Sequence, residues 1–286
     1  MRNPRVRKST PVRTSRTANG VSLVELILAL GITAMVTVAL CGLTSAVQSA
    51  WTISRNYHEV CLQGRAVLDR IRWMVGQAGT YRIDGGRVRL GVEVIARTTD
   101  GVVLPEILVV WSGGRSGGIQ EKRQPTLVLP RINELVIYVP DPGAANRLVE
   151  IQFPSNTSTI DFASSGFQTQ ILSLIAGSTV DQRLMLADRL RVCRLSESGS
   201  SIGCLRFELL QKPTEAQVTN TVVGSDQWHA LPWSQGMGFS RGGMRQATVR
   251  IELQLETVNG ASLVGVSSPT AIPIPGSASV RYAYRA

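Results

Sequence analysis

The stretch Gly20-Val21-Ser22-Leu23-Val24-Glu25-Leu26 lies at the boundary between a basic leader and a long apolar run. Residues 1–20 carry Arg2, Arg5, Arg7, Lys8, Arg13 and Arg16 and no acid. From Val21 to Val47 the only charge is Glu25. Those 27 residues would form a helix roughly 40 Å long. That exceeds the ~20 residues needed to cross the hydrocarbon core of a bilayer. A basic flank before the span predicts a cytoplasmic N-terminus, with the rest of the chain on the other side. A carboxylate inside an apolar span is expensive, so Glu25 is the first candidate functional residue.

Two ordinary readings compete. A secretory signal peptide has an apolar region of roughly 7–15 residues followed by a small-residue cleavage site. Here the apolar run is longer, and the small residue Gly20 precedes it. A plain single-span anchor is the other reading, with Glu25 snorkelling to the headgroups.

The string GVSLVEL resembles the processing motif of type IV prepilins. In that family a Gly is followed by an apolar residue, Ser or Thr, Leu, an aliphatic residue and Glu. The resemblance implies cleavage between Gly20 and Val21 by a membrane prepilin peptidase. It implies N-methylation of Val21, which stands where the family most often has Phe or Met. It also implies that Ser22, Leu23, Val24, Glu25 and Leu26 serve assembly. Glu25 would pair with the new amine of Val21, its own or a neighbour's, to set subunit register. The helix dipole favours a carboxylate in the first turn. Implied partners are the peptidase/N-methyltransferase, other pilin or pseudopilin subunits and an inner-membrane assembly platform.

Charge fits this organisation. The chain is +10 overall, but six of its 30 basic residues belong to the leader. Without it, 24 bases face 20 acids, a balance that does not call for nucleic acid.

Helical spacing continues beyond the apolar run. Ile53, Tyr57, Val60, Cys61, Gly64, Val67, Leu68, Ile71, Met74, Val75 and Ala78 recur every three or four residues. No proline occurs from Val21 to Ala78, so one helix of ~58 residues, roughly 87 Å, is expected. Gly79 is its expected stop. Gly31 and Gly42 could allow close helix approach or loosen the helix. Gly64, on the core-facing stripe, is expected to let a strand pack closely.

From residue 80 onward the pattern is that of strands. Asp84-Gly85-Gly86, flanked by Tyr81-Arg82-Ile83 and Arg87-Val88-Arg89-Leu90, reads as a hairpin turn. Val102–Trp111, Thr126–Leu129, Glu134–Val139, Leu148–Phe153, Gln170–Ile175, Val192–Leu195, Leu205–Leu210, Thr248–Thr257 and Val280–Tyr284 are expected strands. Asp181–Leu190 is ambiguous between helix and strand. Ser112–Gly118 and Ser155–Ser165 are expected loops.

The expected fold is therefore α+β and pilin-like. Residues 1–20 form a leader, 21–47 a transmembrane half-helix, 48–79 its amphipathic half, and 80–286 an antiparallel β-rich extracytoplasmic domain.

A second, looser resemblance concerns subclass. Leu62-Gln63-Gly64-Arg65-Ala66-Val67-Leu68-Asp69-Arg70-Ile71, then Gly76-Gln77-Ala78-Gly79, is similar to the helix end of J-type pseudopilins of type II secretion and of W-type minor pilins. Trp228, Leu231-Pro232 and the strand around Val249 resemble a stretch near the C-terminus of the same groups. The implied role is a minor structural subunit that primes or caps a secretion pseudopilus or type IV pilus. The alternative is a minor pilin whose β domain binds DNA or an exported substrate.

Other chemistry is sparse. Cys193 and Cys204 flank a turn-forming segment and are a candidate hairpin disulfide outside the cytoplasm; two buried thiols are the alternative. His58 and His229 are the only histidines, and His229 near Ser225 and Asp226 reads as a structural loop residue. No metal, nucleotide or hydrolase motif is present, and neither an enzyme nor a cofactor is expected. Arg82, Arg87 and Arg89, and separately Arg241, Arg245 and Arg250, are weak DNA-binding candidates. Solvated strand faces explain them equally well, and no interleaved aromatics support base stacking.

Overall fold

A computed structural model describes residues 21–83, 87–113, 129–177, 182–194, 200–257 and 271–285. The chain divides into two compact units, Met1–Thr52 and Ile53–Ala286. The described part of the first is helical. Helix α1 is assigned Leu23–Gly76, and its residues up to Thr52 belong to this unit. Here Leu23, Val24, Leu28, Met35, Val38 and Leu43 are all exposed. The helix is long and apolar enough to span a membrane. It runs unbroken through Gly31 and Gly42, where an added Cβ would meet nothing within 4 Å. Thr33, Thr37 and Thr44 return their hydroxyls to the carbonyls four residues earlier, which satisfies polar groups that lipid could not.

The second unit holds the remainder of α1 and a β-rich domain. Strands β1 (Thr80–Arg82) and β2 (Val88–Leu90) form the expected hairpin, whose turn lies outside the described residues. A five-stranded antiparallel sheet follows in sequence order. Its strands are β3 (Val92–Thr99), β4 (Val102–Trp111), β5 (Leu135–Asp141), β6 (Ala144–Gln152) and β7 (Gln182–Ala187). Helix α2 (Phe167–Ala176) lies between β6 and β7. A small hairpin, β8 (Val192–Arg194) and β9 (Ser201–Gly203), precedes a three-stranded antiparallel sheet. That sheet comprises β10 (Leu205–Lys212), β11 (Gly242–Glu256) and β12 (Ala271–Arg285), with short helices α3 (Glu215–Asn220) and α4 (Asp226–His229) between its first two strands.

Two cores hold the domain. The first joins Val60, Val67, Leu68, Ile71, Met74 and Val75 of α1 to Val249, Ile251 and Leu253 of β11 and to one face of the five-stranded sheet. The second joins the opposite face of that sheet to Phe167, Ile171 and Ile175 of α2 and to Phe153, Ile160 and Phe162. Alternation along β4 divides it between them. Leu108 and Val110 enter the first core, and Ile107, Val109 and Trp111 the second. A sheet covered on both faces explains the continuous apolar run of β4 and β5.

Glycines bring α1 close to β12. A Cβ on Gly64 would lie 2.0 Å from Ile274 Cδ1, and one on Gly276 2.6 Å from Leu68 Cδ2. The expectation that Gly64 admits a strand holds.

Several expectations need correction. Gln170–Ile175 is helical: Phe167, Ile171 and Ile175 fall at i, i+4 and i+8 and are buried. A short apolar run does not discriminate helix from strand, and here the second core selects the helical stripe. Ile53 and Tyr57 are exposed, because α1 first enters the core at Val60. Helix α1 ends at Gly76, not Gly79, and the N–H of Gly79 donates to Trp111 O at 2.8 Å. Glu134 lies in a 3-10 turn, Ile132–Glu134, ahead of β5. Asp181–Leu190 resolves as strand β7 over Gln182–Ala187. Residues 126–128 of one expected strand lie outside the described residues, as do 114–118 of one expected loop. Strand β3 and helices α3 and α4 were not anticipated.

Candidate functional site

The seam is described from Val21 onward, and Gly20 lies outside the described residues. Ser22 caps α1. Its Oγ accepts from Val24 N–H at 3.2 Å, and its carbonyl accepts the first helical bond, from Leu26 N–H at 3.1 Å. Glu25 Oε2 reaches back to accept from Ser22 N–H at 3.0 Å. Two otherwise unpaired helix-start N–H groups, those of Ser22 and Val24, are thereby engaged. The pattern Ser22-x-x-Glu25 is that of a capping box, a signal present in the sequence and overlooked beside the cost of a membrane carboxylate. Val21, Leu23, Val24 and Leu26 are all exposed. The result is an apolar helix start with its acid folded against its own backbone.

The arginines of the two basic clusters differ in exposure and pairing. Arg89 Nη2 lies 3.0 Å from Glu93 Oε2. Arg87 is exposed and Arg82 half-buried. In the second cluster Arg245 is only 1% exposed. Its Nε and Nη2 donate to Pro213 O at 3.0 and 2.8 Å, Nη2 also to Gln211 Oε1 at 2.9 Å, and Nη1 to Glu215 Oε2 at 2.8 Å. Its guanidinium lies over Tyr284 and Tyr282. Arg245 is therefore a core residue and not part of a solvated strand face. Burial pushes the Tyr282 hydroxyl up to about 12. Arg250 pairs with Glu208 at 3.4 Å on the surface.

His229 closes the short helix α4, and its Nδ1 is 2.8 Å from Gly238 O. Beside it, Trp228 Nε1 donates to Phe239 O at 3.0 Å and Trp233 Nε1 to Trp228 O at 2.8 Å. The histidine belongs to this aromatic corner. Cys193 and Cys204 are free thiols whose Sγ atoms lie 3.0 Å apart. Among the described residues no group of three His, Cys, Asp or Glu side chains could hold a metal ion.

Two further ion pairs fix the domain. Arg70 of α1 grips Glu150 of β6 through both carboxylate oxygens. Arg97 of β3 pairs with Glu106 of β4. Burial pushes the Glu106 carboxyl above its usual range, and Arg97 offsets part of that rise.

No family model, curated protein or solved structure matches the chain.

Proposed function

We propose that this chain is a minor pilin or pseudopilin, a structural subunit that primes or caps a type II secretion pseudopilus or type IV pilus. Helix α1 carries the reading. It is an apolar, outwardly unpartnered segment with one carboxylate in its first turn, and its later turns enter the core of a β-rich domain. The basic leader directs its own end to the cytoplasm, so the β domain lies outside it. A prepilin peptidase cuts after Gly20, and Val21 is then N-methylated. The exposed apolar side chains of α1 first face lipid and later the helices of neighbouring subunits. Glu25 sets the register of entry, and the β domain selects neighbouring subunits.

The same frame makes DNA uptake through the β domain the weaker alternative. Arg245 is committed to the core, and Arg89 and Arg250 to ion pairs.

The deciding experiment is the substitution Gly20→Val in cells carrying the prepilin peptidase. The precursor should accumulate uncut, about 20 residues longer than the mature chain. Unchanged processing of the variant would overturn the proposal.

A further inference from the structure

The hairpin β8–β9 joins the two main sheets of the domain. On one side an added Cβ at Gly203 would lie 2.7 Å from Ala145 O of β6 and 2.5 Å from Leu190 Cδ2. On the other side Arg191 N–H donates to Gln254 O of β11 at 2.8 Å, and Gln254 N–H donates to Cys204 O at 3.1 Å. Cys204 N–H donates to Arg191 O at 2.7 Å, closing the base of the hairpin. Cys193 and Cys204 sit at this junction, their Sγ atoms 3.0 Å apart. Both side chains are half-buried, which leaves them open to a small oxidant.

We infer that Cys193 and Cys204 are an oxidation site, closed by a disulfide that staples the β8–β9 hairpin at the joint between the two sheets. The backbone bonds already hold the two residues in place, so closure needs little rearrangement of the chain. The oxidant is an external disulfide, either a small-molecule disulfide or the disulfide of an oxidoreductase. Two S–H bonds break and one protein S–S bond forms. Two electrons pass to the external disulfide, which is released as two thiols carrying the two protons.

The backbone bonds on both sides of the hairpin give the bond the setting of a structural staple. Burial pushes the Cys204 thiol up to about 12, with the neighbouring Cys193 adding to the rise. A thiol of high pKa is a poor leaving group, so exchange that expels the Cys204 sulfur is disfavoured. The described residues offer no third ligand that would turn the pair into a metal site.

The occurrence of this bond in the cell rests on the extracytoplasmic placement of the β domain, since disulfides persist in oxidising compartments. The test uses the full-length chain in detergent, reduced and then exposed to oxidised glutathione. Trypsin cleaves after Arg191, Arg194 and Arg206, so Cys193 and Cys204 fall on separate peptides, 192–194 and 195–206. The expected result is one linked species, lighter than the summed peptides by two hydrogens and absent from Cys193→Ser. The oxidised chain should melt higher than the reduced one by on the order of 5–10 °C. Mixed glutathione adducts or free thiols without the linked species would overturn the inference. If the linkage forms in the tube but is missing from chain isolated from cells, the staple stands and the extracytoplasmic placement fails.

Discussion

Arg70 and Glu150 form a two-pronged contact between helix and sheet, with Nε 2.9 Å from Oε2 and Nη2 2.8 Å from Oε1. The Glu150 side chain is 1% exposed and that of Arg70 35%. Gln152 Nε2 also donates to Glu150 Oε1 at 2.8 Å. Removing only the cation leaves a buried carboxylate without its main partner. Arg70→Met should cost stability near the lower end of roughly 3–5 kcal/mol, because Arg70 is partly solvated. Adding Glu150→Leu should restore much of the loss, since a well-packed apolar pair avoids the desolvation of both ions. Denaturant melts of the two variants and the parent measure this. Equal losses in the single and double variants would show that the contact acts through packing alone.

Glu106 predicts a pH dependence. Its carboxyl is raised in the folded state, first by burial, with Arg97 opposing. The folded protein therefore binds this proton more tightly than the unfolded chain, whose glutamates titrate near ~4.3. The group's contribution is full below that value and is lost as pH rises through the folded pKa. Glu106→Gln cannot titrate, so the variant should lose less stability than the parent between pH 4 and neutrality, read from thermal midpoints. Parallel curves for the two proteins would refute the assignment.

Gly243 leaves room for Trp233. A Cβ there would lie 2.4 Å from Trp233 Cε3 and 2.5 Å from Cδ2. Trp233 also packs 5.1 Å, centroid to centroid, from Trp228. A buried indole cannot swing aside as a flexible aliphatic tip can. Gly243→Ala should therefore destabilise the domain by roughly 1–3 kcal/mol and alter tryptophan fluorescence. Gly64→Ala should be milder, because its nearest atom is the terminal Cδ1 of Ile274.

Glu25 carries two separable roles. Its Oε2 accepts from Ser22 N–H at 3.0 Å, and its charge is the proposed register element. Glu25→Gln keeps an acceptor for the cap and removes the charge; Glu25→Ala removes both. If charge sets register, both variants are processed and both enter filaments poorly. Normal incorporation of Glu25→Gln alongside failure of Glu25→Ala would assign the residue to helix capping.

Much of the architecture was legible in local pattern. The absence of proline from Val21 to Ala78 and the spacing from Val60 to Val75 defined α1, because a helix repeats its face every 3.6 residues. The alternation of Val249, Ile251, Leu253 and Leu255 marked β11 for the same kind of reason, with a period of two. Helix α2 was not legible, since Ile171, Leu172, Leu174 and Ile175 suit either element until a second core demands one face.

The seam at Gly20–Glu25 is a property of the sequence: a charge step followed by an apolar run needs no tertiary contact to be read. Its implied cleavage and register roles are carried by those residues alone. Only tertiary structure could decide the fates of polar residues farther along. It buried Arg245 against Tyr282 and Tyr284, paired Arg70 with Glu150 across 80 positions, and set two cysteine sulfurs 3.0 Å apart. Burial and pairing depend on which distant strands become neighbours, and an arginine on an alternating strand reads the same whether its face meets water or a core.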